Sequence, residues 1–350
     1  MGDVRSAWSD EELDALSMRV SNTGRWGPDD ELGTLNYISE AKRRNALGLA
    51  TSGTVLSLAW PITPHATPRQ PGEVDHRMFP SPMSADDYLG LPMHQQGLTH
   101  LDCVSHVAAP DGTVYNGRRL RDVVTPTGLT HGSVFAQRGG IVTRGVLLDV
   151  PAGLGLDWLE PGQEIRAEDL DAAARHGQVE VSAGDVAVVR GGTAAREEAL
   201  GRNVFAPGLG PDAIEWLHDH EVAVYTGDMP DRVTPLAARI LGLVDDDDAA
   251  PDASGDGGDV RRHEGSDAPD APAAPVASEE DDRDGPPTRY PLPLHQIGIA
   301  AMGLVLLDFC RVEELARVCR ELQRYEFLFV AAPLAIAGGT ASPVNPLAIF

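Results

Sequence analysis

Residues 245–287 contain no Leu, Ile, Phe, Tyr or Trp. Such a stretch cannot bury enough apolar surface to offset the entropy of ordering its backbone, so it is expected to be disordered. The core must therefore be assembled from the sequence on either side. Structured-looking sequence resumes at Tyr290 and continues to Phe350, so the segment is not a tail. It is either a linker between two domains or a long insertion in a surface loop. A domain tolerates such an insertion, because loop-closure entropy grows slowly with length. A chain of 350 residues suits one large domain or two small ones, and 42% apolar content is enough for a substantial core.

The same segment carries fifteen acidic residues against three Arg, so much of the formal net charge of -25 sits there. An acidic chain argues against DNA or RNA as a partner, because phosphate binding needs clustered Lys and Arg. No apolar run approaches the length of a membrane span. The first thirty residues hold no long apolar run either, so no signal or transit peptide is expected. Cys103, Cys310 and Cys319 are too few and too scattered for a disulfide framework. A reducing cytoplasm is the expected compartment, and small core residues are their expected role.

Outside the acidic segment, strand-like and helix-like pieces alternate. The run 54–60 reads as a strand, and 145–150, 185–190 and 221–225 are short apolar runs that suit buried strands. Helices are expected at 167–176, 211–220 and 312–324. In the last, Leu315, Val318, Cys319 and Leu322 fall at i, i+3, i+4 and i+7, on one face. Residues 327–350 read as strands and turns packed into the core. The pattern is mixed α/β.

The chemistry concentrates in GLTHLDCVSHVAAP, residues 97–110. His100 and Asp102 are two apart. On an extended strand they share a face, and Leu101 points to the other. His106 follows four residues later, close enough to return to the same pocket. Imidazole nitrogen and carboxylate oxygen are the donors that Zn²⁺ and similar ions take. A polar, solvent-facing strand is the competing reading. Against it, the segment is otherwise apolar, and unpaired polar groups there are costly.

Further donors lie downstream. His295 stands in PLPLHQIG, and Asp308 ends the apolar run of GLVLLDF. Asp308 is either the N-cap of the helix that follows or a ligand facing a cation. His295 is either a ligand or an ordinary histidine. His94 sits six residues before His100, a spacing that suits a loop more than a strand face. Trp26 is either a substrate-stacking aromatic or a core or lid residue. No phosphate loop, dinucleotide fingerprint or nucleophile elbow is present.

The stretch Gln96-Gly97-Leu98-Thr99-His100-Leu101-Asp102-Cys103-Val104-Ser105-His106 resembles the hallmark His-x-Gly-Thr-His-x-Asp-x-Pro-x-His of the cyclase family of metal-dependent hydrolases. That family includes kynurenine formamidases (arylformamidases) and isatin hydrolases. RWGPDDELGTLNYI, PGLGPDAIEWLHDHEVAVYTGD and GGTASPVNPLAIF are also similar to its longer members. The resemblance implies one compact α/β domain over residues 1–350, swivelling β/β/α-like, with 245–287 as an insertion. It implies a divalent metal, Mn²⁺ or Zn²⁺, held by His100, Asp102 and His295, with Asp308 standing where a bridging Glu is usual. His106 would move the proton. Gln96 stands where the first His ligand is usual, and as an oxygen donor it would favour Mn²⁺. These two departures leave one-metal and two-metal sites both open. The implied activity is hydrolysis of an amide, formamide or lactam C–N bond. Ring closure in aromatic polyketide synthesis and a non-catalytic binding protein with a degenerate site are the alternatives. A small-molecule substrate and a homodimer or higher homo-oligomer are the expected partners.

Overall fold

The structure is a computed structural model that describes residues 8–67, 69, 70, 72, 74–243 and 288–350. The expected disordered insertion, 245–287, lies outside the described residues. The molecule is organised around a nine-stranded sheet. In chain order its strands are β1 (Val55–Ser57), β2 (His100–Asp102), β3 (Ile141–Asp149), β4 (Val186–Arg190), β5 (Val224–Gly227), β6 (Val305–Asp308), β7 (Glu326–Ala331), β8 (Ala341–Pro343) and β9 (Leu347–Ile349). Their order across the sheet is β1-β9-β7-β3-β4-β5-β6-β2-β8. The central four, β3-β4-β5-β6, are parallel, and every other pairing is antiparallel.

The parallel strands explain the continuous apolar runs in the sequence. Val146, Leu148, Ala187 and Val189 enter one core with the helices Asp10–Arg19, Ala167–Gly177 and Pro211–Asp219. Leu147, Val186, Val188 and Val224 enter the core on the opposite side, with Leu315, Cys319, Phe327 and Phe350. A strand covered on both faces has no solvent side to keep polar.

The expected helices form at Ala167–Gly177, Pro211–Asp219 and Glu313–Leu322. In the last, Leu315, Val318 and Cys319 are buried, whereas Leu322 is exposed at the final turn. Strand β5 ends before the undescribed segment and β6 begins after it. The two nevertheless pair directly, Val224 with Val305 and Thr226 with Leu307. Among the described residues no helix is long and apolar enough to cross a membrane.

Candidate metal centre

Strand β2 lies between β6 and β8, with His100 opposite both Asp308 and Pro343. Leu101 points into the core and is fully buried, so His100 and Asp102 share the other face. Nδ1 of His100 donates to the Leu98 carbonyl at 2.8 Å. That bond fixes the tautomer and leaves Nε2 with its lone pair, 3.5 Å from Oδ1 of Asp102.

The loop before β2 brings a second imidazole to the same carboxylate. Gly97, at φ +75, packs so closely that a Cβ would lie 2.1 Å from the Arg69 carbonyl oxygen. Only glycine permits that turn. Nδ1 of His94 stands 3.1 Å from Oδ1 of Asp102, and its Nε2 is 3.0 Å from Oγ1 of Thr340.

The other oxygen of Asp102 faces His295, which opens a π-helical turn, Leu294–Met302. Nε2 of His295 is 3.5 Å from Oδ2 of Asp102 and 3.5 Å from Oδ2 of Asp308. Asp231 holds this arrangement. Its carboxylate accepts from Nδ1 of His295 at 2.6 Å and from the backbone N–H groups of Leu294 and His295 at 2.8 and 3.1 Å. One side chain thus caps the turn and turns Nε2 toward the centre. His106 stacks face to face on His94, with ring centroids 3.6 Å apart and planes within 4°.

Potential ligand atoms therefore gather in two groups around one carboxylate. His94, His100 and Asp102 form the first; Asp102, His106 and His295 form the second. Within each group the atoms lie within 4.8 Å of one another. Both oxygens of Asp102 and Oδ1 of Asp308 are buried yet accept no hydrogen bond of good geometry. Buried polar atoms without partners are uncommon, and a cation is one of the few things that explains them. Imidazole and carboxylate donors around such orphaned oxygens fit a divalent ion.

The charges follow from this crowding. Burial resists ionisation of Asp102, but the surrounding imidazoles, His106 foremost, hold its carboxyl well below the usual carboxylate range. Burial also resists protonation of His295, yet Asp102, Asp231 and Asp308 raise it well above an ordinary histidine. His106 goes the other way. Burial pushes it down to about 3, only partly offset by Asp102, so its ring is neutral at neutral pH.

Of the residues singled out in the sequence, His100, Asp102, His106, His295 and Asp308 meet here. Asp308 is not a helix cap. It ends β6, and the following helix starts at Glu313 with Val312 in the N-cap position. Phe309 next to it is held at φ +58, a strained conformation for a bulky residue and one that recurs at functional sites. The other two, Gln96 and Trp26, lie outside this group. Oε1 of Gln96, the atom it would offer a metal, accepts from Nη2 of Arg202 at 2.7 Å. Trp26 packs edge-on against Tyr37 at 5.1 Å and against the core, away from the cavity that opens over the centre.

Sequence reasoning ranked His94 as a weaker candidate and missed Asp231. His94 lies two residues further upstream than the hallmark spacing, and Gln95 and Gln96 make up the difference. Asp231 gave no signal, since only the fold brings it to His295. The cavity has a volume of about 590 Å³ and is lined by His94, His100, His106, His295 and Asp308 at its floor.

Residues 20–232 match the family model Cyclase. The chain belongs to the cyclase family. The match includes His94, His100, Asp102 and His106 but ends before His295 and Asp308. Structural similarity extends beyond it. A crystal structure described as a novel cyclase superposes with a TM-score of 0.70 at 25% identity, covering 94% of this cyclase-family chain and 99% of its own. An isatin hydrolase bound to the product analogue thioisatinate superposes with a TM-score of 0.50 at 17% identity, covering 89% and 99%. No curated protein sequence matches the chain.

Proposed function

We propose that this cyclase-family protein is a metal-dependent hydrolase that cleaves the C–N bond of an amide, formamide or lactam, in the manner of an arylformamidase. The observation that carries this reading is the buried carboxylate of Asp102, approached by imidazoles on both sides with neither oxygen hydrogen-bonded. His94, His100 and Asp102 would hold an ion, Mn²⁺ or Zn²⁺, and Asp102 with His295 and Asp308 offers a second donor set. A bound divalent ion supplies Lewis acidity, which lowers the pKa of water and polarises a carbonyl.

The chain's own residues do the rest. Asp231 keeps the Nε2 of His295 directed at the centre, and the Leu98 carbonyl does the same for Nε2 of His100. His106 would move the proton: its ring is neutral and free to accept, and the Asp102 carboxylate favours its protonated form against the burial that opposes it. Its protonated form is acidic, which favours return of that proton to the leaving nitrogen. The degenerate-site reading rested on Gln96, and it loses its motive because His94 stands beside Asp102 instead. We further propose a homo-oligomer. The hairpin Asp75–Pro80 with Ala85–Gly90 leaves Met78, Phe79, Tyr88 and Leu89 exposed, more than an isolated hairpin can stabilise alone.

The test is a hydrolysis screen of the protein loaded with Mn²⁺ or Zn²⁺, using N-formylkynurenine, isatin and simple lactams. Turnover that disappears on chelation supports the reading. Loaded protein that turns over none of them overturns it.

A further inference from the structure

Three arginines line the cavity above the centre: Arg69, Arg196 and Arg202. Two are committed. Arg69 pairs with Glu197, and its guanidinium lies 4.0 Å over the ring of Trp60. Arg196 pairs with Glu160 at 3.1 Å. Arg202 has no carboxylate partner among the described residues. Its one polar contact among them is with a neutral group, Oε1 of Gln96, at 2.7 Å.

Much of the lining around that cation is apolar. Leu159, Val204, Phe205, Val233 and Leu292 line the same cavity. Arg202 is an exposed residue that nonetheless lines this cavity. Burial, reinforced by the nearby charge of Arg69, lowers the pKa of Arg202, and Glu197 offsets this only in part because it already serves Arg69. Among the described residues this cation has a neutral hydrogen-bond partner but no carboxylate of its own, so its charge is free to meet an anion. An anion arriving in the cavity would restore the balance. Among the described residues Arg202 is the one cavity arginine without a carboxylate partner, so a monoanion matches it. The planar guanidinium fork suits a carboxylate. Gln96 ties the anchor to the metal centre, because it sits two residues from His94 and four from His100.

We infer that Arg202, oriented by Gln96, is the anchor for a substrate carboxylate, so that the protein selects amides or formamides carrying a carboxylate apart from the scissile bond. This rests on the hydrolase reading above. It also explains the polar residue at position 96 without making it a metal ligand.

The probes are 2-, 3- and 4-formamidobenzoate, compared with formanilide, which has the same reactive bond and no carboxylate. The loaded wild-type protein should favour at least one of the three isomers by about tenfold or more in kcat/KM. Arg202→Gln should reduce that preference at least about tenfold, mainly through KM, while Arg202→Lys retains part of it. No preference in the wild type overturns the inference, as does a preference that survives in Arg202→Gln. If none of the formamides is hydrolysed, the hydrolase reading is decided separately by the wider screen above, and the anchor is read by calorimetry with benzoate and benzamide. Benzoate binding that is lost in Arg202→Gln supports the anchor. Benzoate binding equal in both proteins, or no stronger than that of benzamide, overturns it.

Discussion

Nδ1 of His295 donates to Oδ2 of Asp231 across 2.6 Å, and the same carboxylate caps the π-helical turn on which His295 sits. The orientation of one donor is thereby tied to the start of a backbone element. Asp231→Asn keeps the shape but weakens both functions. It should lower metal affinity about 10–100-fold, the usual cost of losing such a supporting partner. Competition titration against a chelator measures this. Unchanged affinity would show that His295 is aimed by packing alone.

His100 and His106 should separate on truncation. His100→Ala removes a donor from β2, so metal content after dialysis should fall sharply. His106→Ala should retain the metal and lose about 10²–10⁴-fold in kcat. Equal metal loss in the two variants would make His106 a ligand, as its place beside Asp102 and His295 also permits.

Position 96 provides a direct comparison with position 94. Were Gln96 a ligand, Gln96→His would strengthen Zn²⁺ binding by adding a nitrogen donor. With its oxygen held by Arg202, the substitution should leave Zn²⁺ affinity within about threefold, whereas His94→Ala should lower it at least about tenfold. Tighter Zn²⁺ binding in Gln96→His would return position 96 to the metal.

Burial pushes the thiols of Cys103, Cys310 and Cys319 up to about 12. The thiolate is the reactive form, and it becomes populated only as pH approaches that value. Native protein at pH 8 should therefore resist iodoacetamide for hours and label at all three positions once unfolded. Mass spectrometry reads the outcome. Rapid labelling of a native thiol would contradict this picture.

Residues 245–287 should be dispensable. Strands β5 and β6 pair across the segment, and its composition offers nothing large and apolar to a core. A short Gly/Ser replacement should shift Tm by no more than about 3 °C and leave the fold a single domain, in keeping with the slow growth of loop entropy. A large destabilisation, or proteolysis into two stable halves, would count against one domain.

The parts of the fold that could be read in advance are those with strong local signals. Runs such as 185–190 are apolar throughout because both faces of the sheet are covered, and the period of Leu315, Val318 and Cys319 marks a helix regardless of context. His100 and Asp102 were legible for the same reason, since strand geometry alone puts them on one face. His94 and Asp231 were not. Each reaches the centre through a loop whose path is set by distant contacts, Thr340 for His94 and the turn at Leu294 for Asp231. Asp308 was ambiguous, because a lone acid between an apolar run and a helix looks the same in sequence whether it caps or coordinates. Only the start of the helix at Glu313 separates the two.

The register that sets His100 opposite Asp308 also has a consequence for how the protein is made. The early donors, His94 to His106, leave the ribosome long before His295 and Asp308 exist. Closing so distant a contact costs entropy that grows only logarithmically with separation, but it slows folding. An ion that binds the complete donor set stabilises only the finished sheet. A chain that ends before His295 lacks that donor, Asp308 and the partner strand of β2, so only the finished sheet presents both donor groups around Asp102.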